Sequence, residues 1–131
     1  MCLQELAVIR KHKIPIKLFV FNNKGQGIQK QTLDTWLKSN YVAVDEKSGL
    51  AFVDYVALGK AFELQTEVIA NNGDLKKLSK IVKMKGPVLI DVRIVPDQKI
   101  RPMLKFGAGL EDLDPKLPKS EIDGIMKIGK A

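Results

Sequence analysis

The stretch Ile16-Lys17-Leu18-Phe19-Val20-Phe21-Asn22-Asn23-Lys24-Gly25-Gln26-Gly27 decides how the rest of the chain reads. Apart from Lys17, its first six residues are apolar, and the run is nearly continuous rather than alternating. Such a run predicts a strand buried on both faces of a parallel sheet. The two Asn and two Gly of the next six residues mark a tight loop. Ile28 to Leu37 then suits a short helix. A loop leading from the carboxyl end of a buried strand into a helix is where α/β proteins place anion and metal–phosphate sites.

Outward from this stretch the chain alternates helices and strands. Leu3, Leu6, Ala7, Ile9 and Arg10 sit at helical spacing, so a helix is expected from Cys2 to Lys11, stopped by Pro15. Residues 39 to 53 are mixed, with a turn cluster at Asp45-Glu46-Lys47-Ser48-Gly49. Asp54 is placed to cap a helix over Tyr55 to Glu63, and Gln65 to Ile69 reads as a short strand. Asn72-Gly73-Asp74 makes a turn and cap for a helix bearing Leu75, Leu78, Ile81 and Val82 on one face and reaching Met84. Gly86 and Pro87 break it, and Pro87 to Val95 is the clearest strand in the sequence.

This order predicts an α/β fold with a partial parallel sheet flanked by helices. Right-handed crossovers would gather the strand ends on one edge. Three strands are fewer than a sheet usually carries. The chain also opens straight into a helix, so a domain whose first part is absent is expected. Residues 1–95 read as this partial α/β domain. Prolines at 96, 102, 115 and 118 and the acidic cluster Glu111-Asp112-Leu113-Asp114 argue that residues 96–131 are an irregular tail, with a short helix at Lys119 to Lys127.

Composition narrows the function classes. The 131 residues suit one domain of ordinary size, about 100 to 150 residues. A hydrophobic fraction of 45% and a charged fraction of 28% are globular values. The single cysteine excludes an intrachain disulfide and a multi-cysteine zinc site. No apolar run approaches the length of a membrane span, and Met1 to Lys13 has no signal-peptide pattern. A soluble chain in a reducing compartment, the cytoplasm, is expected, with no membrane partner.

The net charge of +7 comes from 19 Lys and 3 Arg against 15 acids. Readers of phosphate and bases favour arginine, and aromatics make up only 6%, so a nucleic-acid partner is poorly supported. The basic run Lys76 to Lys85 reads as a solvated helix face. Cys2 reads as an ordinary thiol, and His12, the only histidine, as a surface residue. Asp91 and Arg93 alternate on a strand and read as partners of neighbouring residues rather than as catalytic groups. Glu111, Asp112 and Asp114 read as a solvated turn. Trp36 with Leu33 and Leu37 reads as a packing cluster.

Several segments in order carry a resemblance. Leu3-Gln4-Glu5-Leu6-Ala7-Val8-Ile9-Arg10, Ile14-Pro15-Ile16-Lys17 and Asn22-Asn23-Lys24-Gly25 resemble the second half of the thiamin diphosphate-binding motif. That motif runs from Gly-Asp-Gly to Asn-Asn. Ser48-Gly49-Leu50, Asp54-Tyr55 and Lys60-Ala61-Phe62 resemble the segment that follows in acetolactate synthase-like enzymes, particularly those of surface-polysaccharide biosynthesis. Gly86-Pro87-Val88-Leu89-Ile90-Asp91-Val92 looks like the last core strand of the cofactor domain, and Leu113-Asp114-Pro115-Lys116-Leu117-Pro118 like the tail of that subgroup.

The resemblance implies the thiamin diphosphate-binding fold, truncated at the N-terminus, from an enzyme that uses the cofactor with Mg²⁺ on 2-oxo acids or related carbonyl compounds. It implies that Asn23 gives a side-chain oxygen and Gly25 a backbone carbonyl to the metal, with Gln26, Gly27 and Ile28 lining the cofactor pocket. Asn22 reads as a strand-end turn residue, and Gly27 equally as a flexible loop glycine or a phosphate neighbour. The family's Gly-Asp-Gly, which carries the carboxylate metal ligand, is not in this sequence. Gln26 stands where an aromatic residue is common. The family's activating Glu lies on a separate domain of a neighbouring subunit; Glu5 lies in a helix and reads as structural.

No catalytic residue is therefore assigned, and the chain alone is expected to be inactive. A homo-oligomer, the missing N-terminal part or another subunit is the expected partner. The alternative is a non-enzymatic α/β interaction module that has lost cofactor binding.

Overall fold

A computed structural model describes residues 3–105, 107–109 and 112–127. Cys2 and Glu111 lie outside the described residues. The chain divides into two compact units, one ending at Gln98 and the other beginning at Lys99.

The first unit contains α1 (Glu5–Lys11), β1 (Lys17–Asn22), α2 (Gly27–Trp36), α3 (Tyr55–Ala61) and β2 (Gln65–Ile69). A 3-10 segment (Asn72–Lys77), α4 (Leu78–Lys83) and β3 (Val88–Arg93) complete it. The strand order is β1-β3-β2, and both pairings are parallel. The expected parallel α/β sheet flanked by helices is therefore present. β3 lies in the middle, with Phe19 opposite Ile90, Asn22 opposite Arg93 and Ile69 opposite Val92.

The apolar run of β3 explains its central place. Val88, Leu89, Ile90 and Asp91 are all buried. Side chains alternate across a strand, so Val88 and Ile90 face one side, where they pack with Ile69, Ile81, Leu78 and Met84. Leu89 faces the other, towards α3. The helix start expected at Tyr55 forms because Asp54 Oδ1 accepts hydrogen bonds from the N–H groups of Val56 and Ala57, both at 2.9 Å.

Four local expectations are corrected. β1 is an edge strand: Phe19 is 39% exposed and Phe21 70% exposed, so its continuous apolar run does not report burial on both faces. The helix expected over Leu75 to Met84 splits into the 3-10 segment and α4, and Leu75 and Val82 are exposed while Ile81 is buried. The cap is Asn71, whose side chain accepts from Gly73 N–H, whereas Asp74 reaches back to Ala70 N–H. The packing cluster around Trp36 is open, with Trp36 and Leu37 exposed.

The second unit holds β4 (Met103–Leu104) paired antiparallel with β5 (Leu113–Asp114), followed by α5 (Lys119–Ile125). The proline-rich tail is thus not wholly irregular. Asp112 pairs with Lys116 at 3.9 Å. Among the described residues no helix is long and apolar enough to cross a membrane.

Candidate functional site

The loop between β1 and α2 sits at the carboxyl end of the parallel sheet. Asn22, the last residue of β1, is tied down on both sides. Its Nδ2 donates to Asp91 Oδ1 at 3.0 Å, and its Oδ1 accepts from Lys24 N–H at 3.2 Å. Lys24 takes a left-handed conformation, φ +48°, which turns the chain back on itself. Asn23 Oδ1 accepts from Gly25 N–H at 3.1 Å. Gly25 pairs with Asp45 in an isolated antiparallel bridge, and Gln26 N–H donates to the Val44 carbonyl at 2.8 Å.

These bonds set where each residue points. Asn23, Gln26, Gly27 and Ile28 line one open hollow together with Gln29, while Gly25 lies outside that lining. Ile28 is 70% exposed, so it is a rim residue. Gly27 has a steric reason to be glycine. A β-carbon there would come within 2.8 Å of Asn23 Nδ2.

A brace absent from the sequence reading holds the far side of this loop. Lys30 Nζ, on α2, lies 3.0 Å from Asp97 Oδ1 and 3.3 Å from Asp45 Oδ2. It also sits 5.3 Å from the ring centre of Tyr41, a cation–π distance. The hydrogen bond to Asp97, reinforced by Asp45 against the opposing effect of burial, raises the Lys30 pKa above the ordinary lysine value. Asp45 is held below the ordinary aspartate value, first by the Ser48 hydroxyl and then by the Ser48 N–H, which donate to it at 2.7 and 2.9 Å. The Tyr41 hydroxyl donates to Asp34, which raises the tyrosine pKa. No local pattern marks Lys30, because Asp97 lies 67 residues away.

The other singled-out residues do not join the loop hollow. His12 is exposed just after α1. Glu5 is an exposed first-turn residue of α1. Asp91 is only 4% exposed and is engaged by Asn22 and, at 3.4 Å, by Arg93 Nε.

Two oxygens suit a hard cation here. Asn23 Oδ1 uses one lone pair on Gly25 and keeps another. Among the described residues the Gly25 carbonyl accepts no backbone hydrogen bond. Mg²⁺ prefers octahedral oxygen ligands and commonly completes its shell with phosphate oxygens. Among the described residues no three His, Cys, Asp or Glu side chains cluster to hold a metal ion. The donor set thus fits a metal shared with a diphosphate and with ligands from beyond this loop. It does not fit a self-sufficient metal site.

A parallel sheet with an Asn-Gly turn at the carboxyl end of β1 makes this an α/β protein with its loop at the edge where such folds bind ligands. The chain belongs to the family described as thiamine pyrophosphate enzyme, C-terminal TPP binding domain, whose profile matches residues 1–92. It is 28% identical over 118 residues to acetolactate synthase 1, chloroplastic, of Zea mays, covering 86% of this chain and 18% of that protein. It is 30% identical over 108 residues to the acetolactate synthase large subunit of Cyanidium caldarium, covering 82% and 18% respectively. Against the mitochondrial acetolactate synthase of Schizosaccharomyces pombe it is 28% identical over 107 residues, covering 81% and 15%. The chain thus spans less than a fifth of the length of these relatives.

Proposed function

We propose that this chain is the diphosphate-binding part of a thiamin diphosphate- and Mg²⁺-dependent enzyme of the acetolactate synthase type. The reaction would be carboligation or decarboxylation of 2-oxo acids or related carbonyl compounds. The observation that carries the reading is the loop at the end of β1, where Asn23 Oδ1 is oriented by Gly25 N–H beside a hollow lined by Gln26, Gly27 and Ile28. Asn23 and Gly25 would hold the metal. When bound, the cofactor supplies a nucleophilic carbon and an electron sink for bonds next to a carbonyl. The residues of this chain bind and orient; none of them is proposed to move a proton. The chain is proposed to be inactive by itself and to act in the cytoplasm, whose reducing conditions suit its single cysteine.

The test is calorimetric titration of the chain with thiamin diphosphate, with and without Mg²⁺, backed by Trp36 fluorescence. Asn23→Ala should weaken Mg²⁺-dependent binding about tenfold or more, the scale of one lost charge-assisted contact. His12→Ala should not change it. Binding indifferent to Mg²⁺, or equal losses in both variants, would remove the loop as the metal site.

The edge position of β1 supports a second component of the reading. Phe19 and Phe21 present apolar surface on an open sheet edge, a feature proteins normally cover. We therefore propose that the chain works in an assembly, either with another copy or with a further polypeptide. The same surface is what the non-enzymatic interaction module would use. A large native mass in sedimentation without any cofactor affinity would favour that module; a compact stable monomer would count against assembly.

A further inference from the structure

The residues flanking Asn23 turn to a different hollow. Asn22 and Lys24 line it together with Asp54, Tyr55, Asp91 and Arg93, and it encloses about 280 Å³. It shares no residue with the hollow of Asn23, Gln26, Gly27 and Ile28. The strand register accounts for its lining. Asp91 and Arg93 fall on the same side of β3, two residues apart, and Asn22 lies opposite Arg93 on β1. The segment ahead of α3 closes the hollow from above the sheet.

The charges in this hollow are unevenly committed. Both carboxylates are engaged. Asp91 accepts from Asn22 Nδ2 at 3.0 Å and from Arg93 Nε at 3.4 Å. Asp54 Oδ1 accepts the two N–H groups that start α3. The cations retain capacity. Among the described residues, the terminal amino groups of Arg93 and the ammonium of Lys24 have no partner. A guanidinium with a free fork matches a planar carboxylate, and a nearby ammonium adds a point charge. Buried Asp91 and the capping Asp54 offset the two cations, so the hollow has no surplus of positive charge for a doubly charged group, which disfavours phosphate and diphosphate relative to a monoanion.

We propose that this hollow is a binding site for a small, singly charged carboxylate, held by Arg93 and Lys24. It shares the loop after β1 with the cofactor hollow but none of that hollow's lining residues, and it does not depend on the thiamin reading. The hollow lies just below the range of drug-sized ligand sites, which begins at about 300 Å³, so the ligand is a short acid rather than a nucleotide or a long chain.

The experiment is an amide-resolved NMR titration of the full chain with sodium acetate, and separately with inorganic phosphate, at constant ionic strength. Saturable acetate shifts confined to Lys24, residues 52–55 and Arg93 are expected, at millimolar concentrations. Lys24→Asn removes the charge and keeps a residue that tolerates the positive φ of this position. It should weaken acetate about threefold or more, the scale of one partly exposed ion pair. Arg93→Lys keeps the charge but loses the fork, and should weaken acetate about fivefold or more. Lys80→Gln, on the exposed surface of α4, should bind as the unaltered chain does.

Three results would overturn the proposal. Shifts could spread without saturation over the surface lysines. Both hollow variants could bind acetate unchanged while keeping native spectra. Phosphate could bind about tenfold tighter than acetate, which would make the ligand a phosphate group instead.

Discussion

The side-chain amide of Asn23 occupies the space that a β-carbon on residue 27 would need, its Nδ2 lying 2.8 Å from that point. Gly27 therefore permits the Asn23 rotamer whose oxygen is held by Gly25 N–H. Gly27→Ala is expected to push the Asn23 amide aside and break that bond. The lost bond costs about 0.5–1.5 kcal/mol, and alanine at the first helical position returns up to about 1 kcal/mol. Stability in urea should thus move by less than about 1 kcal/mol, while Mg²⁺-dependent cofactor affinity falls. An unchanged affinity would mean that the Asn23 position does not matter.

Gly59 has a different reason to be glycine. A β-carbon there would meet Thr66 Cγ2 at 2.5 Å, with Leu89 Cβ at 3.5 Å, so α3 lies directly on β2 and β3. Overpacking of this kind costs about 1–3 kcal/mol. Gly59→Ala should lower the unfolding free energy by about that amount. Adding Thr66→Ser removes the clashing methyl and should recover part of the loss. Simple additivity in the double-mutant cycle would argue against this contact.

The two neighbours Ile81 and Val82 should respond very differently to truncation. Ile81 is buried among Ile69, Val88 and Ile90, and its truncation to Ala should cost about 2–5 kcal/mol. Val82 is exposed, and Val82→Ala should stay within about 0.5 kcal/mol. Urea midpoints at constant slope would check both.

The Lys30 brace predicts the shape of the stability–pH curve. The Asp45 pKa is lowered on folding, so its contribution is present above the ordinary aspartate value and is lost as pH falls through the lower folded value. Lys30 and Tyr41 are raised on folding, so theirs are present below their ordinary values and are lost as pH rises through the higher folded ones. Melting temperature should be flat from about pH 5 to 9 and fall on both sides. The gap between the unaltered chain and Asp45→Asn should begin to shrink below about pH 4 and close below the lowered folded value. A gap that persists undiminished at lower pH would contradict the assignment.

Much of the fold was legible because its signals are local. The apolar run of β3, the Asp54 cap and the Asn-Gly loop after β1 each act within a few residues, and each has its expected consequence. Helix ends and the split near Leu78 were less legible, because the 3-10 turn depends on how Asn71 and Asp74 bond backbone groups of the same loop. The Asn23 loop was legible as a tight turn at the end of β1. Its brace was not, since Lys30 meets Asp45 through the irregular segment after α2 and Asp97 only after the chain has run through β2 and β3.

The sequence alone determined the parallel α/β class, the order of the elements and the loop that carries Asn23 and Gly25. Alternation, capping and turn chemistry are short-range and survive without knowledge of neighbours. Only the tertiary structure decided that β3 lies between β1 and β2, that Phe21 faces outwards, and that Asn22, Asp91 and Arg93 meet around one hollow. Those outcomes depend on which strands become neighbours and in what register, and pairings between distant segments leave no periodic trace in either partner.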